Sequence, residues 1–266
     1  MKRIFLFSFC FILLSAGPVS AFDAFGVHNA EFGAELSYIT YKEPDADVKE
    51  KGLMYGLAGS YTYHKRFMFR LEGKGSIGWV DYSSQSGEIS NIRDFMLEGR
   101  VLGGYDFSLS KAFLLTPYIG FGYRYLNDDS SGKVTTLGLH GYLRESNYYY
   151  SPIGLMGWTK LGRGWLLGIT AEYDYLWVGM QKSHLGDAVS GGPTVENREK
   201  TGYGLRGSVK FQKKFTGIGL NIEPFIRYWN IDRSEDATGT FPGTRFIAYE
   251  PHNDSLEYGL NLSFVY

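Results

Sequence analysis

The chain has 266 residues, and its 27 basic and 28 acidic side chains leave a formal net charge of -1. That balance excludes the basic footprint by which proteins hold nucleic acid. A content of 44% hydrophobic and 17% aromatic residues, with 35 Gly and only 8 Pro, excludes a disordered chain and is ring-rich for a soluble domain.

Residues 1–21 read as a cleaved secretory signal. Lys2 and Arg3 supply the basic start, "IFLFSFCFILLSA" the apolar stretch, and "VSA" before Phe22 the small-residue cleavage site. Cys10, the one cysteine, lies inside the apolar stretch, so disulfide, zinc-thiolate and cysteine-nucleophile chemistry end with its removal. Residues 22–266 are then expected to form one domain. They contain no uninterrupted apolar run of 18 or more and hence no spanning helix.

Instead, side chains along this domain alternate with a period of two. In "FMFRLEGKGSIGW" (67–79), Phe67, Phe69, Leu71, Ile77 and Trp79 share one side, and Met68, Arg70, Glu72, Lys74 and Ser76 the other. In "WLLGITAEYDYLWVGM" (165–180), Glu172 and Asp174 stand together opposite the rings of Trp165, Tyr173, Tyr175 and Trp177. Ten such segments are predicted, at 30–42, 51–64, 66–82, 91–106, 112–126, 140–158, 164–181, 200–212, 218–232 and 254–266. Most exceed the ~5–6 residues of globular strands and the about 9–11 that cross a bilayer when tilted. Short connections near 65, 107–111, 160–163 and 213–217 alternate with longer polar ones at 43–50, 83–90, 127–139, 182–199 and 233–253. The pattern predicts an all-β fold: a closed antiparallel transmembrane β-barrel of about ten strands, with short periplasmic turns and longer extracellular loops.

The polar face carries Glu31, Glu35, Glu72, Glu98, Glu172, Asp174, Glu223 and Glu257 against Arg70, Lys74, Arg100, Arg124, Arg206, Lys210 and Arg227. An Arg or Lys at the midplane of a lipid face costs about 2–4 kcal/mol, so these groups are expected to pair inside the lumen. The rings of the other face suit the headgroup level of a membrane.

With its signal, ten two-faced strands and terminal "SLEYGLNLSFVY", the chain resembles the outer-membrane β-barrel proteins of Gram-negative bacteria. In that last segment Leu256, Tyr258, Leu260, Leu262, Phe264 and Tyr266 alternate to the final residue. It resembles the signal read by that family's assembly machinery, although Tyr replaces the usual terminal Phe. The resemblance implies an outer-membrane location, contact with lipid and lipopolysaccharide, and passage through that machinery.

Other motifs carry less. "GKGSIG" (73–78) has the spacing of a dinucleotide fingerprint but lies within a strand with no helix after it. "NDDSSG" (127–132) lacks the spaced carboxylates of a calcium loop. Neither a metal site nor a cofactor is expected. Ten strands is also the count of the omptins, proteases whose outer rim carries Asp and Asp–His pairs. Rim candidates here are Asp128 and Asp129, His184 with Asp187, and His252 with Asp254; His64 and His140 stand alone at strand ends. The expected function is a structural or surface-interaction barrel, without enzymatic activity, whose lumen is largely filled by paired charges. Exposed Phe241 and Tyr249 offer contacts to an extracellular ligand or protein. The alternatives are a narrow, porin-like path for small solutes and an omptin-like protease using the rim residues.

Overall fold

The computed structural model describes residues 27–241 and 243–266, so the expected signal at 1–21 lies outside the described residues. The chain runs through β1 (His28–Glu43), β2 (Val48–Lys65), β3 (Phe67–Ser84), β4 (Gly87–Tyr105), β5 (Phe107–Ser108), β6 (Phe113–Asp129) and β7 (Leu143–Gly162). It continues through β8 (Trp165–His184), β9 (Thr194–Glu199), β10 (Gly202–Lys214), β11 (Gly219–Ile231), β12 (Ala237–Thr240), β13 (Arg245–Ala248) and β14 (Asn253–Val265). Ten of these form a ring in the order β1-β2-β3-β4-β6-β7-β8-β10-β11-β14, every pairing antiparallel. It closes where β14 pairs β1, from Glu31 opposite Val265 to Lys42 opposite Asp254. Closure leaves no unpaired edge in the ring, which is the condition for a sheet to cross lipid.

Local chemistry sets the periplasmic turns. The β7–β8 hairpin turns on Arg163 and Gly164, both at positive φ (50° and 78°), the geometry whose twist matches the flanking strands. Arg66 (φ 69°) and Gly217 (φ 79°) serve the turns at the ends of β2 and β10.

The extracellular ends depart from the sequence expectation. The strands run farther out, so the expected loops 43–50 and 83–90 shrink to 44–47 and 85–86. The expected 182–199 loop contains β9, which continues the wall beyond β10 by pairing the outer end of β8. The 233–253 loop carries the β12–β13 hairpin. The sequence signal is weak there because β9 turns Val195, Asn197 and Glu199 inward, leaving little apolar period to read.

Outward positions form the lipid belt, with Phe32, Leu57, Phe121, Ile153 and Ile169 exposed. Rings gather at its ends: Tyr38 lies 5.9 Å from Tyr258 and Tyr173 stacks on Tyr203 at 6.1 Å towards the outside, and Phe67 meets Tyr105 at 5.4 Å on the periplasmic side. On β14, Tyr258, Leu260, Leu262 and Phe264 all face outward and are exposed, as is the terminal Tyr266. Among the described residues no helix is long and apolar enough to cross a membrane.

Candidate functional site: the charged bore and the extracellular mouth

Strand register builds the bore. Spacing by two sets Arg70, Glu72 and Lys74 on the inner face of β3, and antiparallel pairing puts Arg100 of β4 opposite Glu72 and Arg206 of β10 opposite Glu172. Arg100 donates to Glu72 at 2.6 Å and to Glu172 at 2.5 Å, while Arg70 donates to the other oxygen of Glu72 at 2.6 Å. Arg206 donates to Asp174 at 2.6 Å and to Glu98 at 2.9 Å. Lys210 bridges Glu31 and Glu223 at 2.9 and 3.0 Å. Arg227 holds Glu35 at 2.8 Å and Glu257 at 3.3 Å, and Lys74 reaches Glu257 at 3.2 Å. Hydroxyls complete the network: Tyr118 donates to Glu172 at 2.7 Å and Tyr150 to Glu98 at 2.5 Å.

Arg124 departs from the rest. It is buried and points inward, but no carboxylate among the described residues lies within ion-pair distance of it. Its guanidinium sits instead 6.0 Å from the Tyr148 ring and 5.8 Å from the Trp229 ring. The charge layer lies between apolar clusters, three in all among the described residues, that alternation alone does not separate. Met68, Leu102, Leu114, Tyr118, Met156, Trp158 and Leu166 pack towards the periplasm, and Tyr148, Tyr150, Leu176, Trp229 and Ile231 towards the outside. Within the layer remains a cavity of about 160 Å³ lined by Glu31, Arg70, Lys74, Arg100 and Lys210, room for several waters.

A second charged group, not anticipated as a unit, fills the mouth above the lipid belt. Arg144 at the start of β7 faces Glu43 at 3.1 Å, Glu50 at 3.6 Å, and Asp128 and Glu250 at 3.7 Å. Asp94 and Asp128 lie opposite each other on β4 and β6, and each has one oxygen without a hydrogen-bond partner. Burial, and the nearby Asp128, push Glu50 well up from the usual carboxylate range; burial raises Asp128 against the pull of Arg144. Burial and the neighbouring Glu250 push Glu199 up to about 8, and burial pushes Glu250 up to about 7 although Arg144 opposes it. Distances to the shared guanidinium carry no sequence signal beyond an acid near the outer end of several strands.

The rim histidines sit elsewhere. Trp177 is an extra residue in β8, where the register with β7 shifts between Tyr149 and Tyr150. The bulge reverses the alternation, so Leu176 and Gly179 face inward and His184 faces out. His184 pairs with Glu145 at 2.8 Å on the outer wall; Asp187 instead accepts the Leu143 N–H at 3.1 Å. His252 lies 2.8 Å from the Asn230 amide, and Asp254 accepts from Asn230 at 2.7 Å and Tyr228 at 2.5 Å, again on the outward face. The two groups do not converge with each other or on the mouth. Asp128 is buried inward, Asp129 caps a turn by accepting the Ser131 N–H at 3.1 Å, and His140 bridges Val134 in an exposed loop. His64 pairs with Asp106 at 2.8 Å at the periplasmic end. Tyr249 is exposed as expected, with the Arg233 guanidinium 3.8 Å from its ring. No three metal-ligating side chains among the described residues are arranged to hold a metal ion.

No family model and no curated protein matches the chain by sequence. Solved structures match by shape. The outer membrane protease OmpT of Escherichia coli aligns over 90% of this chain and 96% of its own, with a TM-score of 0.64 and 10% identity. The translocator domain of the autotransporter NalP from Neisseria meningitidis aligns over 90% of each chain, with a TM-score of 0.44 and 11% identity. The Pseudomonas putida toluene transporter TodX aligns over 91% of this chain and 90% of its own, at 0.37 and 10%. The chain is a closed outer-membrane β-barrel with an extensive buried ion-pair and hydrogen-bond network in its lumen.

Proposed function

We propose that this barrel works at its extracellular mouth, on the omptin shape, and not by conducting solutes through its bore. The observation that carries the reading is the brace of Glu72, Arg100, Glu172, Arg206 and Glu98, which spans the bore at side-chain hydrogen-bond distances. A charge layer of that kind leaves a cavity of about 160 Å³ among the braced side chains, whereas an open channel requires a wider ring of strands. Planar-bilayer recording tests it: closed membranes are expected, and stable open channels would favour the narrow-pore alternative.

Peptide hydrolysis is the sharper form of the mouth reading, and the likeness to OmpT favours it over a purely structural role. The side chains that support it are Asp94 and Asp128, two facing carboxyls with unpaired oxygens next to Glu50, a grouping able to share a proton and activate water. The outer-wall pairs at His184 and His252 do not serve it. Refolded protein should cleave members of a peptide library, with the activity lost in Asp94→Asn and Asp128→Asn and kept in His184→Ala and His252→Ala. A folded, inert protein leaves the barrel a surface anchor. In either form its partners are the lipid and lipopolysaccharide around the belt, and an extracellular ligand at the loops. The exposed alternation from Tyr258 to Tyr266 supports recognition by the assembly machinery of the outer membrane.

A further inference from the structure

The last outer loop folds back over the mouth on two legs. They are tied to each other by the Ser234 N–H donating to the Glu250 carbonyl at 3.0 Å, and the Glu250 N–H to the Ser234 hydroxyl at 2.8 Å. They are tied to β9 by the Glu235 N–H on the Arg198 carbonyl at 2.8 Å, and by the Asn197 amide on the carbonyls of Ala248 (2.9 Å) and Glu235 (3.3 Å). The third tie runs through a side chain. The carboxyl of Glu250 hangs below the loop, 3.7 Å from Arg144 and 3.4 Å from the Tyr41 hydroxyl. We propose that these legs form a lid on the mouth, latched while Glu250 on the lid and Glu199 beneath it hold their protons and released when they ionise.

The charge balance under the lid supports this. From β1 come Tyr41 and Glu43, from β2 Glu50, from β3 Tyr82, from β4 Asp94 and from β6 Asp128, with Arg124 beneath. From β7 come Arg144 and Tyr148, preceded by Tyr142, and from β9 Glu199. β8 presents the uncharged Gln181, and β14 the uncharged Asn253 and Ser255. Six carboxyls therefore surround the guanidinium of Arg144, four of them at ion-pair distance, and Glu250 alone of the six belongs to the lid. Glu199 is fully buried: one oxygen has no partner, and the other receives only the Asn253 amide at 3.5 Å. A neutral carboxyl tolerates that setting and a carboxylate does not. Burial holding the protons of Glu250 to about 7 and of Glu199 to about 8 places the release in the neutral-to-alkaline range. Ionised Glu250 then faces Glu43, Glu50, Asp128 and Glu199 with no added cation, and the loop that carries it can move it to water.

The lid covers the mouth assigned to the proposed function, but its test needs no substrate and stands apart from that reading. Full-length protein in lipid vesicles carries spin labels at Thr240→Cys, on β12, and Lys51→Cys, on the outer wall of β2. The expected result is one distance at pH 6 and a second, altered population growing between pH 7 and 9. The ratio of the two should rise by about tenfold per pH unit while one carboxyl titrates. Glu199→Gln with Glu250→Gln should keep the pH 6 distance throughout. Asn197→Ala, which weakens a tie without charge, should bring the opening to lower pH. An unchanged distribution from pH 6 to 9 overturns the proposal. So does the same opening in the Gln variant or, if that variant does not fold, in Glu250→Gln alone.

Discussion

Arg206 and Glu98, 108 positions apart in the chain, meet inside the bore, the guanidinium donating to the carboxylate at 2.9 Å. Arg206 also holds Asp174 at 2.6 Å and lies over the Tyr150 ring at 5.4 Å. One side chain thus ties β10 to β4, β7 and β8, making the bore a braced unit and not a stack of independent pairs.

Removing that brace should be costly. Arg206→Met leaves Glu98 and Asp174 buried with their main partner gone, a loss on the order of 3–5 kcal/mol. Urea unfolding in detergent measures it. A loss under about 1 kcal/mol would show that water replaces the guanidinium, as it does for exposed pairs.

Glycine supplies the clearance the brace requires. A Cβ built on Gly122 would lie 2.2 Å from the Tyr150 ring, whereas one on Gly99 meets nothing within 4 Å. Gly122→Ala should cost about 1–3 kcal/mol by displacing Tyr150 from Glu98, and Gly99→Ala should be near neutral. Heat-modifiable gel migration compares the two melting points, and equal values would contradict the packing described.

The lipid belt makes its own demand. Leu57 is 57% exposed on the outward face of β2. Leu57→Arg should destabilise the folded barrel in a bilayer by about 2–4 kcal/mol. Equilibrium folding into vesicles reads this directly, and a neutral outcome would place that face away from hydrocarbon.

Stability should fall as pH rises. Glu250 and Glu199 have folded pKa values raised from 4.5 to about 7 and about 8, so the folded state binds more protons than the unfolded one across that span. Their contribution is fully present below about 4.5 and is lost as pH climbs towards 8. Unfolding midpoints from pH 5 to 9 should decline, and Glu199→Gln should flatten the slope. A rising slope in that window would mean that these carboxyls enter the mouth already ionised.

Bore and belt are legible in the residues alone. Alternation at Arg70, Glu72 and Lys74, and at Glu172 and Asp174, separates them because a strand's side-chain period is fixed at two and lipid tolerates no charge. The mouth is less legible. Trp177 bulges β8, and since a bulge shifts phase without changing composition, the outward aim of His184 cannot be read from its surroundings. Arg124 reads as another lumen cation, yet it rests on the rings of Tyr148 and Trp229.

Pleat geometry and solvent act locally, so the order of residues is enough to dictate strands with one ionic and one greasy face, closed into a ring. Which charges meet is a property of the assembled wall. Glu250 finds Arg144, and Arg206 finds Glu98, through the curvature of the closed barrel and the return of a loop over its mouth. These distances are set jointly by all ten strands, and no single segment encodes them.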